Sequence, residues 1–200
     1  MIRKLALTLF LLIVAVVVAI LAIAGTRPPT YHVERSATMS APPAVVHLIL
    51  NDLHKFPQWS PWQKLDPNMK ITIAGSGIGP GSSYSWVGND KVGEGRMTIT
   101  SVSPPNEVAM KLEFIKPFQS TCDVHFRVQP EGAGSKVTWA MDGNNNMMSK
   151  VMGLFVSMDS MMGKDFDNGL ANLKQVSESN AQTMSSAPPG TASAAAPGGQ

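Results

Sequence analysis

Strict alternation of apolar and polar residues in the second half of the chain constrains its fold more than any other feature. Three segments show it, and their apolar members are Val108, Met110, Leu112 and Phe114, then Cys122, Val124, Phe126 and Val128, then Val137, Trp139 and Met141. Successive side chains of a β-strand point to opposite faces, so each segment predicts a strand with one buried face. Three such strands in succession predict an antiparallel meander with one apolar and one solvated face.

Weaker strand patterns precede the meander, at Tyr31–Met39, Met69–Ala74, Ser82–Val87 and Arg96–Val102. Turn-forming residues separate the strands most plainly at 104–106 and 131–134, where Pro, Asn and Gly collect. The chain is therefore predicted to form seven antiparallel strands.

Two helices are predicted beside this sheet, a short one from Pro43 to Leu53 and a long one from about Met147 to Val176, with an asparagine N-cap just before it. Apolar residues of the long helix recur at spacings of three and four, namely Val151, Phe155, Met158, Met162, Phe166, Leu170 and Leu173. A stripe of that length needs a large apolar surface to cover. The sheet is therefore expected to curl around the long helix, in an α+β fold.

The N-terminal segment Leu5–Ala24 carries no charge. Its 20 residues would span ~30 Å as a helix, the thickness of the hydrocarbon core of a bilayer. Arg3 and Lys4 precede it, and only Arg27 follows closely, so the positive-inside rule places the N-terminus in the cytoplasm and the following domain outside it.

The length of this apolar run favours an uncleaved transmembrane anchor over residues 1–26. A small-x-small motif at 22–24 leaves a cleaved signal peptide as the alternative, in which case the domain would be secreted. In a bacterium the anchored domain would be periplasmic.

The remaining chain divides into a folded domain over residues 30–177 and a tail over residues 178–200 that is rich in Ala, Ser, Gly and Pro and is predicted to be disordered. The single cysteine, Cys122, excludes an internal disulfide. A net charge of +2 without a basic run argues against a nucleic-acid partner.

Little in the sequence predicts catalysis. The four histidines show no metal-ligand spacing, and neither a metal nor a cofactor is expected. Catalysis of dehydration or cyclisation would need an acid or base inside an apolar cavity, and the candidates near strand ends are Glu94, Arg96 and Asp142. Each fits a solvated rim residue at least as well, since charges are seldom buried without a partner.

Four stretches together resemble one known family. They are TYHVERSATMSAPPAVV from Thr30, FPQWSPWQKLDP from Phe56, GSGIGPGSSYSWVGN from Gly75, and DFDNGLANLK from Asp165. Their order and separation resemble the helix-grip fold of the START-like, SRPBCC superfamily, in particular its polyketide cyclase/dehydrase and lipid-transport branch. The resemblance covers roughly residues 31–176.

The resemblance implies that an apolar small molecule is held between the curled sheet and the C-terminal helix. The side chains then expected to line the pocket are Trp59, Trp62, Trp86, Met110, Leu112, Phe114, Trp139, Met141, Phe155, Met158 and Met162. Trp59 or Trp62, held among prolines, would close one end of the pocket, or both would simply plug the core. Methionines, which cluster between 141 and 162, suit either a cavity for varied ligands or a plain core.

Three functions stay open at this point. The leading hypothesis is a membrane-tethered binding domain outside the cytoplasm for a lipid-like or polyketide-like molecule, with no catalytic residue. The second is a small cyclase or dehydratase. The third is an assembly module whose solvated sheet face, with Lys111, Glu113, Asp123 and Arg127, meets a protein partner.

Overall fold

The computed structural model describes residues 2–186. Its helices are α1 (Ile2–Gly25), α2 (Pro43–Leu50), α3 (Phe56–Trp59), α4 (Met147–Met152) and α5 (Met158–Ser186), with a 3₁₀ turn at Pro61–Lys64. Its strands are β1 (Thr30–Met39), β2 (Lys70–Ala74), β3 (Ser83–Val87), β4 (Glu94–Ser103), β5 (Glu107–Lys116), β6 (Ser120–Glu131) and β7 (Gly134–Asn144).

All seven strands form one antiparallel sheet in the order β1-β7-β6-β5-β4-β3-β2. Consecutive strands from β2 to β7 are neighbours, and β1 joins the sheet beside the last strand, so the predictions of seven antiparallel strands and of a meander over β5, β6 and β7 are confirmed. Two register shifts between β4 and β5, at 94–95 and 99–101, bend the sheet. The curled sheet and α5 together form the predicted helix-grip fold.

The core lies on one face of the sheet. Met110, Val124, Met141 and Val33 are direct neighbours across β5, β6, β7 and β1, and each is nearly or completely buried. Phe166, Leu170 and Leu173 of α5 are also buried in this core. The apolar residues of the strands and those of the second half of the predicted helical stripe thus pack in one core, as predicted.

The predicted long helix from Met147 to Val176 is wrong at its N-terminal end, because two helices replace it. Asn146 caps α4 by accepting a bond from the Ser149 backbone N–H at 2.8 Å, but α4 ends at Met152. Five residues follow before α5, whose first turn is capped by Ser157: its hydroxyl accepts the Ser160 N–H at 3.1 Å. Gly153 follows α4, and Ser157 can cap a new helix. This pair of residues favours two helices over one continuous helix.

At the other end, α5 continues to Ser186 and so includes the first nine residues of the region predicted as a disordered tail. The Glu178 carboxylate accepts the Ser40 backbone N–H at 2.7 Å, and Ala181 packs against the core. These contacts stabilise the helix beyond the point where the composition becomes polar. Residues 187–200 of the predicted tail lie outside the described residues.

The proline-rich stretch after α2 forms short helical turns rather than an extended loop. α2 ends at Leu50, three residues before its predicted end. Pro57 lies in the first turn of α3 and Pro61 in the first turn of the 3₁₀ segment, positions where a missing N–H costs nothing. The two turns bring Trp59 and Trp62 against the sheet from the side of α5.

The charges of the solvated sheet face pair with one another across strands. Lys111 Nζ lies 3.9 Å from Asp123 Oδ1, and Arg96 Nη2 lies 2.9 Å from Glu113 Oε2. Cross-strand pairs of this kind are ordinary on a wet sheet face and account for these charges without a protein partner.

A candidate ligand-binding cavity

A cavity of about 340 Å³ lies between the curled sheet and the N-terminal half of α5. Its wall includes seven of the side chains predicted from the sequence: Trp62, Trp86, Leu112, Phe114, Trp139, Met141 and Met162. Further apolar or aromatic residues of the wall include Phe56, Tyr84, Met97, Phe126, Met161 and Phe166. The alternation that found Leu112 and Trp139 also contained Phe126.

Four predicted lining residues lie elsewhere. Trp59 and Met110 are 1% and 2% exposed and belong to the closed core. Met158 lines a separate, smaller cavity beside α4. Phe155 is 75% exposed, because it lies in the break between α4 and α5 where the helical period on which its prediction depended does not hold.

Stacked and edge-on aromatic rings form the wall beneath α5. The Trp139 indole is parallel to the Phe166 ring, with centroids 4.1 Å apart, and meets Trp59 and Trp62 edge-on at 5.7 and 5.9 Å. A Cβ at Gly169 would lie 2.6 Å from the Trp139 ring, so this glycine allows the helix to approach the sheet. Trp59 therefore supports the wall from behind, and Trp62 is part of it.

Trp86 forms the opposite end of the cavity. It pairs across the strands with Gly95, and its indole lies over that glycine, so that a Cβ there would be 2.5 Å from the ring. The indole Nε1–H donates to the Val92 carbonyl at 3.1 Å, and the ring meets Phe114 edge-on at 6.2 Å. Trp86 thus connects the apolar wall to the loop before β4.

Charged residues occur at the rim of this apolar space. Lys91, Lys116 and Asp165 all contribute to the lining. The Lys116 ammonium lies 2.7 Å from Glu94 Oε2, and this hydrogen bond raises the pKa of Lys116 above its ordinary value. Trp62 Nε1–H donates to Asp165 Oδ2 at 3.2 Å. The site can therefore enclose an apolar body and offer charges of both signs to a polar end.

The carboxylates predicted as catalytic candidates do not line the cavity. Glu94 is paired with Lys116, and Asp142 is half exposed, with Oδ1 2.7 Å from His32 Nδ1. Arg96 is bonded to Glu113 on the solvated face. Each of the three side chains therefore has a polar partner outside the cavity: Lys116 for Glu94, His32 for Asp142 and Glu113 for Arg96. Among residues 2–186 no group of three or more His, Cys, Asp or Glu side chains could hold a metal ion.

Two buried acids near the cavity predict a loss of stability in alkali. Burial raises the pKa of the Tyr84 phenol from 10.0 to about 12 and that of the Cys122 thiol from 9.0 to about 11. Between those values the folded state holds protons that the unfolded state has lost, so stability is complete below pH 9.0 and falls as pH rises toward 12. For Tyr84 the loss should reach about 2–3 kcal/mol. Urea unfolding of the full chain against pH measures it, and a Tyr84→Phe variant with the same alkaline slope would contradict it.

Trp62 and Trp59 should differ in what they stabilise. Because Trp62 forms part of the wall, Trp62→Ala is expected to weaken ligand binding by about tenfold, or 1.4 kcal/mol. Trp59→Ala should instead lower mainly the unfolding temperature, since Trp59 is closed off in the core. Thermal unfolding and titration with a fluorescent fatty acid separate the two effects. A large loss of stability with unchanged affinity for Trp62→Ala would exclude its role in the wall.

Comparison with known proteins agrees with this geometry. The family described as polyketide cyclase / dehydrase and lipid transport matches residues 30–178. No match to a curated protein sequence reaches significance.

Solved structures share the fold at low sequence identity. Protein CV1439 from Chromobacterium violaceum has a TM-score of 0.53 at 13% identity, covering 76% of this chain and 99% of its own. The Aha1 dimer from Colwellia psychrerythraea has a TM-score of 0.53 at 14% identity, covering 74% and 96%. The di-domain ARO/CYC StfQ from the steffimycin biosynthetic pathway has a TM-score of 0.54 at 8% identity, covering 79% of this chain and 52% of its own.

Proposed function

Because the chain belongs to the polyketide cyclase/dehydrase and lipid-transport family, we propose that it is a membrane-tethered protein that binds a hydrophobic or amphiphilic small molecule between its sheet and α5. The observation that carries the proposal is the cavity of about 340 Å³ with an aromatic and methionine wall. A wall of this chemistry binds by removing apolar ligand surface from water, at about 25 cal/mol per Å². The family match and the fold support a ligand-binding domain.

The ligand we propose is lipid-like or polyketide-like, with its apolar body against Trp86, Leu112 and Trp139. Its polar end would lie at the rim, where Lys116 and Asp165 offer a cation and a carboxylate. Methionines at the helix side of the wall adapt to ligands of different shape. An amphiphile uses both parts of such a site.

The tether we propose is α1, an apolar helix that is long enough to cross a bilayer. Its most apolar stretch is not covered by the rest of the protein. Arg3 and Lys4 before the helix support a cytoplasmic N-terminus and a domain outside the cytoplasm. If the segment is instead cleaved as a signal peptide, the domain is secreted with the same cavity.

A cyclase or dehydratase is the second candidate, and Asp165 is the observation that favours it. Asp165 is a carboxylate of the cavity wall, held by Trp62, and could exchange a proton with a bound substrate. Asp165→Asn keeps the hydrogen-bond acceptor and removes the charge. If the protein turns over an aromatic polyketide, this variant should lose that turnover while still binding the compound.

Binding itself is tested with the full chain in detergent micelles, by the shift in unfolding temperature on adding fatty acids, isoprenoids and aromatic polyketides. A ligand present at 100 times its Kd should stabilise the protein by about 2.7 kcal/mol. If no compound of the panel shifts the unfolding temperature or displaces a fluorescent fatty acid, the proposal is wrong.

A further inference from the structure

The α4 region exposes an unusual amount of apolar surface for a part of a folded domain. Six side chains between 147 and 161 are 46–75% exposed: Met147, Met148, Met152, Phe155, Val156 and Met161. Within residues 147–161 the charged residues are Lys150 and Asp159, and the Asp159 carboxylate is paired with Arg35, with Oδ1 2.7 Å from Nη1. Contiguous exposed apolar surface of this kind marks a place where a protein meets another apolar phase.

This apolar segment lies against the end of α1. α1 contacts α4, and Ala24 at the end of its apolar run is completely buried. Asn145, just before α4, also binds the chain that follows α1. Its backbone N–H donates to the Pro29 carbonyl at 2.7 Å, and its side-chain amide donates to the Thr30 carbonyl at 3.1 Å. The position of α4 relative to the end of α1 is therefore set by direct contacts.

If α1 spans a membrane, these contacts place the exposed apolar residues of the α4 region at the membrane surface. The apolar run of α1 ends at Ala24, so the hydrocarbon core ends near that residue, and headgroups occupy roughly the next 5–8 Å. A helix that touches the end of α1 lies within this layer. Interfacial helices bury an apolar face about 5–10 Å into it, and a cation such as Lys150 pairs with lipid phosphates.

The same segment leads to the cavity. A smaller cavity of about 200 Å³ lies between the chain after α1 and the α4–α5 break, with Arg27, Pro28, Gly153 and Met158 in its wall. Met161 belongs to the walls of both cavities, and the next residue, Met162, belongs to the main one. A flexible methionine side chain therefore separates the membrane-proximal space from the binding cavity.

We propose that the segment Met147–Met161 inserts into the surface of the bilayer that holds α1, and that it is the entrance through which an apolar ligand passes from the membrane into the main cavity. This inference rests on the proposed membrane tether and ligand-binding function. Entry beside Met161 spares the ligand a passage through water. Lipids of the surrounding bilayer, or apolar molecules dissolved in it, are then the source of the ligand.

Insertion is tested with the full chain in vesicles of phosphatidylcholine and phosphatidylglycerol. Phe155→Cys carries an environment-sensitive fluorophore, and Leu48→Cys on α2 is the matched control, since Leu48 is an exposed apolar residue at 52%. β1 separates α2 from the end of α1 by ten residues, or roughly 33 Å. The buried native thiol of Cys122 does not compete for the label.

Lipids with a quencher on the acyl chain should quench the probe at position 155 at least about threefold more than the probe at 48, because position 155 lies among acyl chains. Equal quenching at the two positions would overturn the insertion. This outcome does not depend on whether any ligand binds, so it is separate from the fate of the proposed function.

Entry is tested by the rate at which a fluorescent fatty acid moves from the vesicle into the protein. Phe155→Asp should slow this uptake about tenfold, since a carboxylate resists entry into the bilayer surface, whereas Leu48→Asp should leave it unchanged. Affinity for the same fatty acid in detergent micelles should be unchanged in both variants. Unchanged uptake in Phe155→Asp would overturn the entrance, and absence of binding in micelles by the unmodified protein would overturn the proposed function instead.

Discussion

Replacing Trp139 with alanine will lower the free energy of unfolding by about 3–5 kcal/mol. The indole is nearly buried and contacts four aromatic rings, those of Trp59, Trp62, Phe126 and Phe166. Single domains of this size are stable by about 5–15 kcal/mol, so the variant should lose a large fraction of its stability. Urea unfolding followed by circular dichroism measures the loss.

Trp139→Phe and Trp86→Ala are the controls for this prediction. Phenylalanine retains the stack on Phe166 and should be less destabilising. Trp86 is partly exposed at the other end of the cavity and has one ring neighbour, Phe114, so its removal should cost less. If Trp139→Ala were no less stable than Trp86→Ala, the aromatic wall under α5 would not be the centre of the core.

Replacing Leu112 with tryptophan will weaken ligand binding by about 100-fold or more, equivalent to about 2.7 kcal/mol. Leu112 lies in the middle of the cavity wall, between Met97 and Cys122 on the neighbouring strands. The larger ring would occupy space that a ligand needs. Titration of the full chain with a fluorescent fatty acid gives the affinity.

The matched control is Lys111→Trp, one residue earlier on the same strand. Lys111 is on the solvated face, where it lies 3.9 Å from Asp123, so the same ring added there should leave the affinity unchanged. Unchanged binding by Leu112→Trp, in a protein whose unfolding temperature is also unchanged, would show that the ligand lies somewhere else.

The strands could be predicted because alternating apolar and polar residues within each segment identify its buried face. A period of two places Val108, Val124 and Trp139 on one side whatever the rest of the chain does. The order of β5, β6 and β7 was predicted as a meander, whereas the place of β1 beside β7 was not predicted from the sequence.

The helical half of the site was less predictable because a period of 3.6 holds only while the helix is unbroken. Phe166 and Leu170 kept their predicted phase, whereas Phe155 lost it at the break after Gly153. Ser157 is a residue type that can cap a helix, but serine is also common within helices. The sequence therefore did not show that Ser157 would accept the Ser160 N–H and begin a new helix.

The sequence also could not show which apolar residues belong to the closed core and which line the cavity. Met110 and Leu112 follow the same alternation on the same strand, yet Met110 is closed into the core and Leu112 faces the cavity. What separates them is the curl of the sheet and the distance to α5, which depend on every strand at once. The same holds for Asp165, which lines the cavity because α5 packs on the sheet there and which accepts a hydrogen bond from Trp62 Nε1–H.

The most direct test of the central claim is native mass spectrometry of the full chain extracted from membranes in a mild detergent, measured beside Leu112→Trp. If the cavity holds a hydrophobic ligand, the unmodified protein should retain one small molecule that the variant lacks, and its mass identifies the ligand class. A mass equal to the bare chain in both proteins, or the same adduct in both, would contradict the account.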